Sequence, residues 1–188
     1  MPPSSLRHLL QRLQGRSRRG ARLYIVEFDL AELSSHFFNQ ALGFKRAAEQ
    51  RGMLPRVLLR TDVAAGLAEQ LAADRVIAFA PASVERLAYR LDAFADDDRQ
   101  LQSLWNAIAG MGVSRRDIVL ITTTLAAVVY SVGAWLGRLD PERRPAVFFR
   151  CFDHDYLDPA TMAYNERSWM FRFAARDMAL RPGRTGYS

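Results

Sequence analysis

Between Glu27 and Asn39 the chain gathers side chains that can move a proton or hold a polyhydroxyl ligand: Glu27, Asp29, Glu32, Ser34, Ser35, His36 and Asn39. A histidine titrates near neutral pH and can take a proton from a hydroxyl, and a neighbouring carboxylate fixes its ring. His36 is therefore the candidate general base, with Asp29 or Glu27 orienting it. A helix starting at His36 would present free amides suited to a phosphate or a sugar hydroxyl network. Ser34, Ser35 and Asn39 would add hydrogen bonds to such a ligand. The same pattern also fits a loop in which His36 merely opens the helix and Ser34 or Ser35 caps it.

Two further groups carry polar chemistry next to apolar runs. Thr122, Thr123 and Thr124 close the run from Asp117 and can hydrogen-bond a ligand or cap the following helix. Arg150 precedes Asp153, His154 and Asp155. An arginine there can pair with an anionic group. Asp153 and Asp155, one residue apart, can hold a divalent cation bridging a diphosphate, or can sit in a solvated turn. The acids Asp96, Asp97 and Asp98 fit the exposed start of a helix, where negative charge meets the positive end of the dipole.

The elements that must position these groups alternate regularly. Strands are expected at 22–29, 55–60, 75–80, 117–124 and 146–152, each rich in β-branched or aromatic residues. Helices are expected at 36–51, with Phe37, Ala41, Phe44 and Ala48 as its buried stripe, and from a Thr61 or Asp62 cap to 73. Others are expected over 83–111 with a break near the acidic run, over 125–139, and over 158–181 behind Asp158 and Pro159. The unbroken apolar run of 117–124 predicts a strand covered on both faces. Strand and helix in alternation predict a Rossmann-like α/β three-layer sandwich with a mostly parallel sheet. Ligands of such sheets bind beyond the carboxyl ends of the strands. The segments 27–39, 60–62, 122–124 and 150–158 should therefore share one rim. Trp105, Trp135 and Trp169 fall at apolar helix positions and read as core or interface.

With 188 residues the chain suits one domain. A basic flexible tail is expected at 1–20, the domain at 21–182 and a flexible end at 183–188. The net charge of +6 is uneven, since residues 1–22 hold six arginines and no acid while the rest balances. A folded face read by nucleic acid should be basic, so the body is not expected to bind nucleic acid. Leu6, Leu9, Leu10 and Leu13 recur among the tail arginines at helical spacing, a pattern that suits contact with an anionic membrane or a solvated arm. Cys151 is the one cysteine, which precludes an internal disulfide and a cysteine metal cage. The expected location is cytoplasmic, with membrane association through residues 1–20. The apolar stretch 118–136 is broken by threonines, Ser131 and Gly133 and divides into strand and helix, not a membrane span. The first loop has no glycine, so no G-x-G-x-x-G follows the first strand, and no P-loop occurs. No cofactor is expected.

The segments RLYIVEFDLAELSSHFFNQALGFKRAAEQRG, DIVLITTTLAAVVYSVGAWLGRL and PAVFFRCFDHDYLDP resemble the N-terminal, acceptor-side domain of GT-B glycosyltransferases. In that family a strand leads through a loop to a helix with histidine near its start and glycine before the second strand, as His36 and Gly52 stand here. The resemblance implies sugar transfer from a nucleotide-activated donor to an acceptor hydroxyl, with the acceptor touching Ser34, Ser35, Asn39, Thr122, Thr123, Arg150 and Asp153. It also implies a donor-binding domain that this sequence lacks, without which the chain should be inactive. Two other readings remain open: a small GT-A-like transferase holding a metal on Asp153 and Asp155, and a non-enzymatic α/β interaction module.

Overall fold

The computed structural model describes residues 19–30, 33, 36–78, 91–122 and 126–150, and of residues 91–98, 126, 127 and 130 only the backbone. In chain order the elements are β1 (Arg22–Val26), α1 (His36–Glu49), β2 (Leu54–Arg60), α2 (Ala65–Leu71), β3 (Asp74–Ile77), α3 (Leu91–Gly110), β4 (Ile118–Ile121), α4 (Ala126–Arg138), a single 3-10 turn (Pro141–Arg143) and β5 (Ala146–Phe149). The five strands form one sheet in the order β3-β2-β1-β4-β5, and every pairing is parallel. This is the Rossmann-like α/β sandwich that the alternation predicts.

Alternate residues of a strand point to opposite faces, and the sheet uses both. Leu23 and Ile25 of β1, Val57 and Leu59 of β2 and Ile118 and Leu120 of β4 pack under α1 and α2. Tyr24, Val26, Leu58, Val119 and Ile121 pack under α3 and α4. All four residues of β4 are buried, as a strand covered on both faces requires. Trp105 and Trp135 stack with ring centroids 5.5 Å apart between α3 and α4. Trp105 Nε1 donates to Ser131 Oγ at 2.9 Å. Both tryptophans are core, and Trp169 lies outside the described residues. No described helix is long and apolar enough to cross a membrane.

Several local expectations change. The buried stripe of α1 is Phe38, Ala41, Phe44 and Ala48. Phe37 lies one residue round the helix, half-buried, its ring 3.9 Å from that of His36 between centroids. Neither Thr61 nor Asp62 caps α2, whose N-cap is Ala64 with no side-chain bond. The Asp62 carboxylate is drawn instead to Arg60, whose Nε donates to it at 2.9 Å. α3 runs unbroken through Asp96, Asp97 and Asp98, which lie in its second turn and not at a helix start. β1, β3, β4 and β5 are shorter than expected, ending at Val26, Ile77, Ile121 and Phe149. Gly52, at φ 68, closes the turn after α1 as expected.

The amino end of the sheet is fastened by Asp117. Its carboxylate accepts the backbone N–H of Arg22 at 2.8 Å, the Arg22 guanidinium at 2.8 Å, and the Ser114 amide at 2.8 Å and hydroxyl at 3.0 Å. Burial alone would raise its pKa, but the bonds from Arg22 and Ser114 outweigh it and hold the carboxyl below its usual range. This clasp joins residues far apart in sequence, and nothing in the local pattern signals it.

Candidate functional site

The chain connections set where a ligand can enter. From β1 the chain winds through α1 and α2 toward the β3 edge along one face, and from β3 it crosses through α3 to β4 along the other. β1 and β4 are neighbours whose outgoing connections leave in opposite directions, so a crevice opens beyond their carboxyl ends. Glu27 follows β1 and Thr122 follows β4, directly at that point. The backbone continues the ladder there, with Thr122 N–H donating to Val26 O at 3.2 Å, Glu27 N–H to Leu58 O at 3.1 Å and Arg150 N–H to Ile121 O at 2.9 Å.

Glu27 is the unusual group. It is 1% exposed, and its carboxylate accepts the Asp29 amide at 2.9 Å and meets the Thr122 hydroxyl at 2.6 Å. Burial pushes its pKa up to about 7; the bonds from Thr122 and the Asp29 amide and the charge of Arg150 pull downward, and the charge of Asp29 adds to the rise. Thr122 Oγ1 lies 2.6 Å from Glu27 Oε2 and 2.9 Å from the Val26 carbonyl oxygen. One hydroxyl proton cannot serve two acceptors. While Glu27 is protonated its Oε2–H donates to Thr122 and the Thr122 proton goes to Val26 O; on ionisation the Thr122 proton turns to the carboxylate, the bond that lowers the pKa. With the Asp29 amide on Oε1, every partner is satisfied. The floor of the crevice is thus a carboxylic acid poised to ionise near neutral pH.

Charged groups surround this floor. Asp29 is exposed, and its charge is felt at both Glu27 and Arg60. Arg150, half-buried after β5, acts on Glu27 from the other side, and burial lowers its own pKa against that attraction. The ends of β2, β1, β4 and β5 therefore contribute Arg60, Asp29, Glu27, Thr122 and Arg150 to one rim. A cleft of about 250 Å³ between the end of β3 and α3, lined by Val76, Ala78, Arg99, Gln100, Ser103 and Leu104, opens two strands further along.

Of the residues singled out from sequence, Glu27, Asp29, Thr122 and Arg150 come together. His36 and Asn39 are exposed at the start of α1. The hydrogen bonds to Glu27 come from Thr122 and the Asp29 amide, so its carboxyl does not orient His36. Thr122 does not cap α4; it is buried and joins β4 to β1. Ser34, Ser35, Thr123, Asp153 and Asp155 lie outside the described residues. Among the described residues no three His, Cys, Asp or Glu side chains cluster as a metal ion requires. The sequence reading placed Arg60 at the end of the strand 55–60 and at the start of the 60–62 loop; its place beside Asp29 depends on β2 lying next to β1. Comparison with protein-family models, with curated proteins and with solved structures finds no match to this chain.

Proposed function

We propose that the crevice beyond β1 and β4 binds the hydroxyl-bearing acceptor of a glycosyl transfer, so that this chain acts as the acceptor-side domain of a glycosyltransferase. The observation that carries this reading is Glu27, a buried carboxyl with a pKa of about 7 at the point where a parallel sheet of this order opens its ligand crevice. A general base works best when its pKa lies near the working pH, and Glu27 meets that condition without any help from His36. In the transfer, the acceptor oxygen attacks the anomeric carbon of the activated sugar and its proton passes to a base. The bond from that carbon to the diphosphate breaks, and the diphosphate leaves with the electron pair. Asp29 and Asn39 would hold neighbouring acceptor hydroxyls. The nucleotide-sugar would be held by a second domain, as the resemblance to GT-B enzymes implies. The Glu27–Thr122 pair lies at the bottom of the crevice, so an acceptor must displace or open that bond to reach the carboxyl.

Amide-resolved NMR titration of the chain with methyl glycosides, polyols and, separately, a nucleotide-sugar tests this. The expected result is that an acceptor shifts the amides of Glu27, Asp29, Asn39 and Thr122, and that Asp29→Ala weakens this response. Silence of those amides toward every acceptor, or a response to the nucleotide-sugar alone, would overturn the acceptor assignment. A response that appears only with manganese would favour the metal-dependent reading instead.

A further inference from the structure

We propose that the cleft between β3 and α3 is a second binding site, apart from the crevice, and that it takes a small organic monocarboxylate. The cleft begins with an irregularity in β3, the edge of the described sheet. Between β2 and β3 the register passes from Leu59 opposite Arg75 to Arg60 opposite Ile77, so Val76 is an extra residue in β3. The ladder resumes at once, with Thr61 N–H donating to Ile77 O at 2.8 Å. In a regular strand Val76 and Ile77 would face opposite sides of the sheet. Here Ile77 is buried in the core under α3 and α4, and Val76, half-buried, packs against the same core. A bulge of this kind bends its strand and re-aims a side chain, and bulges gather at sheet edges and beside active sites.

The packing of α3 leaves the space open. Leu101, Leu104, Trp105 and Ile108 of α3 are buried, and Trp105 ties the helix to α4 by its stack on Trp135 and its bond to Ser131. The flank of α3 that lines the cleft carries Arg99, Gln100 and Ser103, all exposed. They share that flank because residues three and four apart on a helix are neighbours. Between this flank and the strand lies a space of about 250 Å³. One water occupies about 30 Å³ in the liquid, so the cleft has room for about eight. That suits a small organic molecule and falls short of what a drug-sized ligand fills.

The lining sets the chemistry of the occupant. Leu104 is buried and Val76 half-buried, and with Ala78 they form an apolar wall from which a compact hydrocarbon body displaces water. The polar side of the cleft is one guanidinium, one amide and one hydroxyl, and among the described residues no acid lines it. A planar guanidinium matches a carboxylate through two parallel N–H···O bonds. Gln100 and Ser103 can donate to the remaining lone pairs. A single full positive charge answers a monoanion and leaves a phosphate dianion half neutralised. An extended peptide fits less well, because a bulge twists a strand edge away from further pairing. The site requires nothing of the crevice's chemistry.

Amide-resolved NMR titration of the full chain with benzoate, at fixed pH and ionic strength, tests the proposal, with benzyl alcohol and inorganic phosphate for comparison. Benzoate is expected to give saturable shifts at Val76, Ala78, Gln100 and Ser103 and to bind more tightly than either comparison. R99Q should weaken it roughly tenfold to a hundredfold, as the loss of hydrogen bonds to a charged group does. S103E sets an acid in the lining and should weaken it by a similar factor. R75Q removes an exposed arginine of β3 that does not line the cleft and should bind like the parent. Thermal melts of each variant confirm that it is folded. No saturable shift at those four residues, benzyl alcohol or phosphate binding as tightly as benzoate, or equal losses in R75Q and R99Q would each overturn it. Shifts at Glu27, Asp29 and Thr122 in place of those four would assign the carboxylate to the crevice and overturn it as well.

Discussion

Replacing Glu27 by glutamine should change how the stability of the domain responds to pH. In the folded chain the carboxyl titrates at about 7, against an ordinary value of 4.5. The native state thus holds the proton more tightly than the unfolded state, so stability is full below about pH 4.5 and falls as pH rises through 7. The difference of about 2.5 units corresponds to about 3 kcal/mol between those limits, at about 1.4 kcal/mol per unit. Glutamine cannot ionise, and that slope should vanish. Its Oε1 can still accept the Asp29 amide, and its Nε2 can donate to Thr122, which then donates to Val26 O. The second amide hydrogen lacks an acceptor, which costs about 1 kcal/mol or more. Urea unfolding from pH 4.5 to 8.5 at constant ionic strength should therefore show E27Q less stable than the parent at the acid end. At the alkaline end it should be more stable by about 2 kcal/mol, the balance of the two effects. Parallel stability profiles for the two proteins across that range would refute the reasoning, because they would mean that Glu27 ionises at the same pH in the folded and the unfolded chain.

Two further substitutions probe the same framework. Thr122→Val removes the hydroxyl that lowers the Glu27 pKa, so the fall in stability should move to a pH above 7; a carbon-detected titration of the Glu27 carboxyl would follow it. Asp117→Asn should destabilise the domain by about 3 kcal/mol at neutral pH, the upper end for hydrogen bonds to a charged group. Since the Asp117 pKa is lowered in the fold, its contribution is present above the ordinary carboxylate value and is lost as pH falls below it. Denaturation of D117N should accordingly lose part of the acid sensitivity seen in the parent below pH 4.

The alternation of apolar strands and amphipathic helices was enough to read the architecture, because each parallel pair needs a crossover and crossovers have one hand. That reasoning also brought Glu27, Thr122 and Arg150 to one rim before any coordinates. What it could not reach depends on neighbours distant in sequence. Glu27 stands inside the run YIVEF, where a charge among apolar residues hints at burial, yet its partner Thr122 stands at the end of β4, 95 residues away in the chain. Read locally, Thr122 is one of three threonines that can hold a ligand or cap the next helix, and Glu27 a companion of His36. The same blindness hid the Arg22–Asp117 clasp. Phe38 displaced Phe37 in the core because helix rotation is set by how α1 lies on β1 and β2, which spacing alone leaves free by one residue.

A ¹³C NMR titration of the Glu27 side-chain carboxyl in the native chain tests the basis of the candidate site most directly. An inflection at about 7, moving down in Asp29→Asn as a neighbouring negative charge is removed, is what this structure predicts. An inflection at the ordinary glutamate value, unmoved by Asp29→Asn, would contradict it and leave the crevice without its acid.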